Sequence, residues 1–146
     1  MLRIETETFR LEWNALVHEE DRSAPVNTSL LVHLFSYDYS ASALLDTSVQ
    51  DLSEFARQLN EVYETLRGTA RLQFPYDQDS CFEFTTDPTG HFRISGCISN
   101  GHAHGFTQKL YFENEAEQTY LKEFVKSLYR AFPMEEGLNK NNEGRI

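Results

Sequence analysis

Two histidines, His102 and His104, stand two residues apart in SNGHAHG, residues 99–105. On a strand they would share a face, and with one carboxylate they could bind a transition metal. The flanking glycines and Asn100 describe a hairpin loop equally well, and no other His, Cys or acid stands at a recognisable ligand spacing. The pair is therefore a metal candidate without a third ligand, and no cofactor is expected. Carboxylates have the right type for acid–base work at Asp77 and Asp79 and again at Glu113, Glu115 and Glu117. A chain with 23 acidic residues holds such pairs by chance, and general acid–base catalysis needs geometry before spacing. There is no G-x-S-x-G, no phosphate-binding loop and no dinucleotide fingerprint, and neither Cys81 nor Cys97 has an activating context. The sequence points away from catalysis, and no catalytic residue is assigned.

Binding is the remaining chemistry. With 13 basic residues against 23 acidic ones the formal charge is -10, which disfavours nonspecific attraction to nucleic acid or an anionic membrane and favours a basic protein partner. Two acidic surfaces are candidates for it: Asp51, Glu54, Glu61 and Glu64 on the outer face of a helix, and Tyr76 with Asp77 and Asp79 near a turn. Solvation alone also explains an acidic helix face. Tyr37, Tyr39, Tyr76 and Tyr111 fall on the non-core parity or in loops, where tyrosines beside acids suit protein binding and also stabilise sheets. The one basic stripe, Lys122, Lys126 and Arg130, fits the ordinary preference for cations toward a helix C-terminus.

These residues must be positioned by a small fold. A chain of 146 residues should bury about 69% of the surface its unfolded form exposes, enough for an unaided core. Residues 1–133 are read as one domain and 134–146, almost without apolar side chains, as a polar tail. Phe9, Leu11 and Trp13 alternate with polar residues as a half-buried strand, which Leu2 and Ile4 precede as a separate short piece. LLVHLFSYDY, residues 30–39, is apolar on both parities at first, which predicts a strand covered on both faces or near the middle of the sheet. His33 within it is read as a packed, hydrogen-bonded histidine. Leu52, Phe55, Ala56, Leu59, Val62, Tyr63 and Leu66 recur at helical spacing, with Asp46, Thr47 or Ser48 as cap and Gly68 as left-handed stop. Strands of period two follow around Leu72, Phe82, Ile94 and Leu110. The turn DPTG, residues 87–90, makes a hairpin of the middle two, in which Phe84 should face Phe92 and Phe82 should face Ile94. Cys81 and Cys97 are then diagonal neighbours, too far apart for a comfortable disulfide. Finally Leu121, Phe124, Val125, Leu128 and Phe132 mark a second helix.

The run from Phe112 to Leu121, FENEAEQTYL, carries a likeness. It resembles the WapI-like family of bacterial immunity proteins, whose late strand ends in a pattern close to F-E-T-D-Q-T/S-Y-L before the final helix. The likeness extends over residues 50–130 through Leu52, Phe55 and Leu59 in a helix closed by Gly68, then Phe82-Glu83-Phe84, Gly90, Phe92, Ile94 and Gly96. Ala116 and Glu117 stand where the pattern has Thr and Asp, so the cap of the last helix departs from it. The resemblance implies a small, non-catalytic protein that neutralises the toxin domain of a partner by binding it, a basic nuclease domain encoded beside it being the expected kind.

The expected architecture is α+β: a mainly antiparallel sheet of about six or seven strands, packed on one face by two amphipathic helices near residues 48–67 and 117–131. The N-terminal MLRIETETFRLEW has no signal-peptide core, and no apolar run approaches a membrane span. With reduced thiols this points to a cytoplasmic protein that binds neither nucleic acid nor membrane. Self-association as a structural or regulatory module, a homodimer through an exposed sheet edge, is the alternative to partner binding, and a small metal-dependent protein using His102 and His104 is a further one.

Overall fold

The computed structural model describes residues 1–101 and 104–134. The alternation at the N-terminus builds β1 (Leu2–Glu5) and β2 (Phe9–Val17), antiparallel partners that set Leu2 against Trp13 and Ile4 against Leu11. β3 (Thr28–Ser36) pairs with β2, and β4 (Tyr39–Thr47) pairs with β3. A second antiparallel meander follows: β5 (Thr69–Phe74), β6 (Asp77–Thr86), β7 (His91–Gly101) and β8 (Thr107–Glu117).

The class is α+β as expected, but eight strands among the described residues form two four-stranded sheets where one sheet of about six or seven was predicted. The helices accordingly do not lie on one face of a single sheet. The strand missed is β4. Its run of Ser40, Ala41, Ser42 and Ala43 mutes the hydrophobic alternation, although Ala43 and Leu45 are buried and Leu44 is exposed. β3 is central in its sheet, but only one of its faces is covered: Leu30, Val32 and Leu34 are buried, Leu31 and Phe35 are exposed, and His33 is half-buried. Apolar residues on both parities thus did not mean cover on both faces.

Between the sheets in sequence lies α1 (Val49–Thr65), capped by Ser48, whose Oγ accepts from the Asp51 amide at 3.0 Å. The buried Asn27 adds a second cap, its Oδ1 accepting from the Val49 amide at 2.9 Å. At the other end Leu66, two residues ahead of the expected Gly68, takes the left-handed C-cap at φ 55°, and Gly68 follows at φ 89°. The last strand runs into α2 (Gln118–Ala131), whose first residue is held by Gly90 O, which accepts from the Gln118 amide at 2.8 Å. Glu117 makes no capping bond there, so the departure from Asp at this position is structural as well as sequential.

Both helices and the inner faces of both sheets enter one buried cluster. Trp13 is its hub, with ring centroids 5.7 Å from Phe55 of α1, 5.1 Å from Phe82 of β6 and 5.2 Å from Phe124 of α2. A polar pin joins the sheets nearby. Buried Asn114 of β8 donates to Thr8 O at 3.2 Å and to Ser36 Oγ at 2.9 Å, and its Oδ1 accepts from Thr8 Oγ1. Each polar atom of that amide has a partner, which is what burial of an asparagine requires.

The β6–β7 register differs by two from the expected one. Phe84 faces Ile94, Phe82 faces Gly96 and Thr86 faces Phe92. Burial parity fixes a register only to within two residues; the turn decides the rest. Here the turn is tight, Asp87 Oδ1 accepting from the amides of Thr89 and His91, so pairing extends to Thr86. One result is that Cys81 and Cys97 face each other directly instead of diagonally, and both are free thiols. Burial, with the neighbouring Cys81 second, pushes the Cys97 thiol pKa up, so it is a poorer nucleophile than an exposed cysteine.

Candidate docking surface

The acidic helix face exists as expected but is largely neutralised within the chain. Arg57 bonds both Glu54 at 2.6 Å and Glu61 at 3.1 Å, and Lys126 of α2 reaches across to Glu64. Hydrogen bonds from Arg57 first, then Gln58, hold the Glu54 carboxyl below the usual range. Asp51 is exposed in the first turn of α1. Lys126 is therefore an inter-helix contact, also donating to Asn60 Oδ1 at 2.8 Å, and is not a free member of a basic stripe.

The second predicted cluster lies on the turn after β5 and the start of β6. Tyr76 is 71% exposed on the turn after β5, while Asp79 pairs with Lys109 at 2.9 Å and borders a shallow hollow with Cys81, Cys97 and Tyr111 that Tyr76 does not line. Asp77 opens β6 opposite Phe74. Of the proposed metal pair, His104 lies on an exposed turn and His102 lies outside the described residues. No group of three or more His, Cys, Asp or Glu among the described residues could hold a metal ion.

What the structure assembles instead is a surface around Tyr37. Tyr37 and Asp38 form a two-residue turn between the paired Ser36 and Tyr39, with the Tyr37 amide donating to Thr8 O at 2.8 Å. Such turns call for positive φ at their first position, where glycine is usual. Tyr37 adopts φ 53°, a conformation costing a side-chain-bearing residue about 1–2 kcal/mol. Its ring is 68% exposed and stands at the meeting of three hollows. The first, of about 420 Å³, is bordered by Glu5, Glu7, Arg10, Phe35 and Asp38, with the Arg10 guanidinium 4.1 Å above the Phe35 ring. The second, of about 480 Å³, is bordered by His91, Arg93, Glu113 and Glu115. The third, of about 400 Å³ and the most apolar, is walled by Tyr39, Leu110, Tyr111 and Phe112.

The charges on this surface are sorted. Arg93 pairs with Glu113, and His91 bridges Glu115 and Glu117, each at 2.8 Å. Glu7 and Asp38 have no ion pair among the described residues and border the first hollow together with Tyr37. The two carboxylates, Glu115 first, push the His91 pKa up to about 9. A histidine raised in this way lends stability that is fully present below its ordinary value near 6.5 and is lost as pH rises through about 9. The group is exposed and salt-screened, so the expected signature is spectroscopic. In an NMR titration the His91 ring should change near pH 9, and Glu115→Gln should move that midpoint toward 6.5; a wild-type midpoint at 6.5 would remove the bridge.

Of this surface, sequence reasoning had noted Tyr37, Tyr39 and Tyr111 as off the core parity but had not joined them. The available signal was SYDY, an acid between two tyrosines directly after an apolar run. That the run ends in a turn carried by a positive-φ tyrosine has no signature in residue type. Tyr111 arrives from β8, more than seventy positions away in sequence, and only the docking of the sheets brings it close.

A family model described as the Immunity protein WapI-like family matches residues 2–133. No curated protein and no solved structure matches the chain.

Proposed function

The chain belongs to the WapI-like immunity protein family, and from that premise we propose that it neutralises a toxin domain by binding it stoichiometrically, without catalysis. The observation that carries this reading is the family match over residues 2–133, which spans both meanders and both helices. A chain of charge -10 suits a basic partner, and a nuclease domain, which must itself bind a polyanion, is such a partner. A toxin domain encoded beside this gene is the partner to test. On this reading residues 1–133 are one binding domain, 134–146 a polar tail, and the protein acts in the cytoplasm, where its toxin must be held inactive. No described helix is long and apolar enough to cross a membrane.

Purified together, the chain and that toxin domain should form a 1:1 complex by light scattering and abolish toxin activity at equimolar ratio. Association should slow as salt rises, because screening over about 8–10 Å removes the attraction between opposite potentials. Inhibition that required sub-stoichiometric amounts would speak for catalysis and against the proposal. A second reading, self-association, has one observation in its favour: Leu16, Leu31 and Leu44 are exposed together on the outer face of the first sheet. A dimer that persists at micromolar concentration and dissociates on Leu44→Lys, with no toxin binding, would select it.

A further inference from the structure

We infer that the partner is received at the Tyr37 turn by a segment bearing lysine or arginine, one cationic side chain entering the hollow between Tyr37, Tyr39 and Tyr111 while its neighbours meet Asp38 and Glu7. This rests on the function proposed above and names its surface. Three observations converge. The three tyrosines are 68%, 68% and 73% exposed around one concave wall of about 400 Å³, an arrangement with large contact area and little rotamer entropy to lose on binding. Aromatic faces attract cations, and the adjoining hollow already shows the geometry in Arg10 over Phe35. The charge balance is the third. Glu54, Glu61, Glu64 and Asp79 are each satisfied by a basic side chain of this protein, whereas Glu7 and Asp38 beside Tyr37 are not among the described ion pairs. A cationic partner gains most where it displaces no existing pair.

The acidic face of α1, which sequence alone favours equally, offers carboxylates, Asp51 among them without a described ion pair, but none of the three exposed tyrosines. A partner docking there would have to break Arg57 away from Glu54 and Glu61.

The test uses the full chain and the toxin domain encoded beside it, with affinity read by calorimetry. Tyr37→Gly removes the ring at a backbone position that suits glycine, so its melting point should equal or exceed that of wild type and folding is not at issue. Its affinity should fall about tenfold or more, as for a tyrosine at the centre of an interface. Asp38→Lys with Glu7→Lys should weaken binding to a similar extent and flatten its salt dependence. Glu54→Lys with Glu61→Lys should change affinity less than about threefold. The reverse ranking would overturn the Tyr37 surface while leaving the inhibitory function standing. Absence of any complex between wild type and toxin would sink the function instead, and the surface is then read with hexa-arginine: amide shifts centred on Tyr37, Asp38 and Tyr111 sustain it, and shifts confined to α1 overturn it.

Discussion

Trp13→Ala is expected to lower the stability of the protein by about 3–5 kcal/mol, the usual range for removing a large aromatic from a core. Native domains are stable by only about 5–15 kcal/mol, so a substantial unfolded population at 37 °C should follow. The reason is position as much as size. Trp13 is fully buried and its ring meets α1, β6 and α2 together, so its loss opens space between layers that are held apart by their own hydrogen-bond ladders and cannot collapse freely. Its indole Nε1 has no hydrogen-bond partner among the described residues. Trp13→Phe, which keeps most of the packing and deletes that unpaired donor, should therefore cost well under half as much. Urea melts measure both. Equal losses for the two variants would mean that the indole nitrogen is satisfied by water and that the packing argument is incomplete.

Gly96→Ala should be nearly as damaging, at about 3 kcal/mol, the upper end for overpacking. A Cβ built on Gly96 falls 2.1 Å from the backbone oxygen of Cys81 and 3.2 Å from a ring carbon of Phe112. The first of these neighbours belongs to the β6 backbone, which cannot give way without breaking the ladder that also sets Phe84 against Ile94. Gly101→Ala in the same strand is the control, since a Cβ there meets nothing within 4 Å, and it should cost a few tenths of that. Hydrogen exchange would localise the damage: amides of β6 and β7 should lose protection first. Wild-type stability for Gly96→Ala would show that the strands can separate there at little cost.

Gly96 illustrates what the sequence could and could not say. Its place in the family likeness marked it as a position of the fold, and Phe82, Phe84, Phe92 and Ile94 around it were read on the correct parity. The contact that forbids a side chain is across strands, and the register was misjudged by two residues because the turn is tighter than the parity argument requires. The helices were legible for a different reason. Each carries an apolar stripe of four or more residues at one period, a signal that β4 lacks because serine and alanine contrast too little. The candidate surface was the least legible. Residue type correctly gave acids and tyrosines on the outside, and the spacing of Arg57 from Glu54 and Glu61 along α1 already allowed their pairing, but whether Asp79 and Glu64 are free depends on Lys109 and Lys126 arriving from other elements, which spacing does not reveal.

The order of the strands has a kinetic consequence. Every ladder joins strands adjacent in sequence, so each pairing closes a short loop and each meander can zip from its own turns at low entropic cost. Neither meander has a core of its own, because the side chains that cover its inner face belong to the helices and to the other sheet. The slow event is therefore expected to be the docking of two pre-paired halves, and Asn114, which bonds Thr8 and Ser36 across separations of 106 and 78 residues, reports on it. In stopped-flow refolding Asn114→Ala should chiefly slow the folding arm, whereas Glu115→Gln, at the wet outer face of the same strand, should leave it unchanged. An Asn114→Ala effect confined to the unfolding arm would mean that the halves meet before the pin engages.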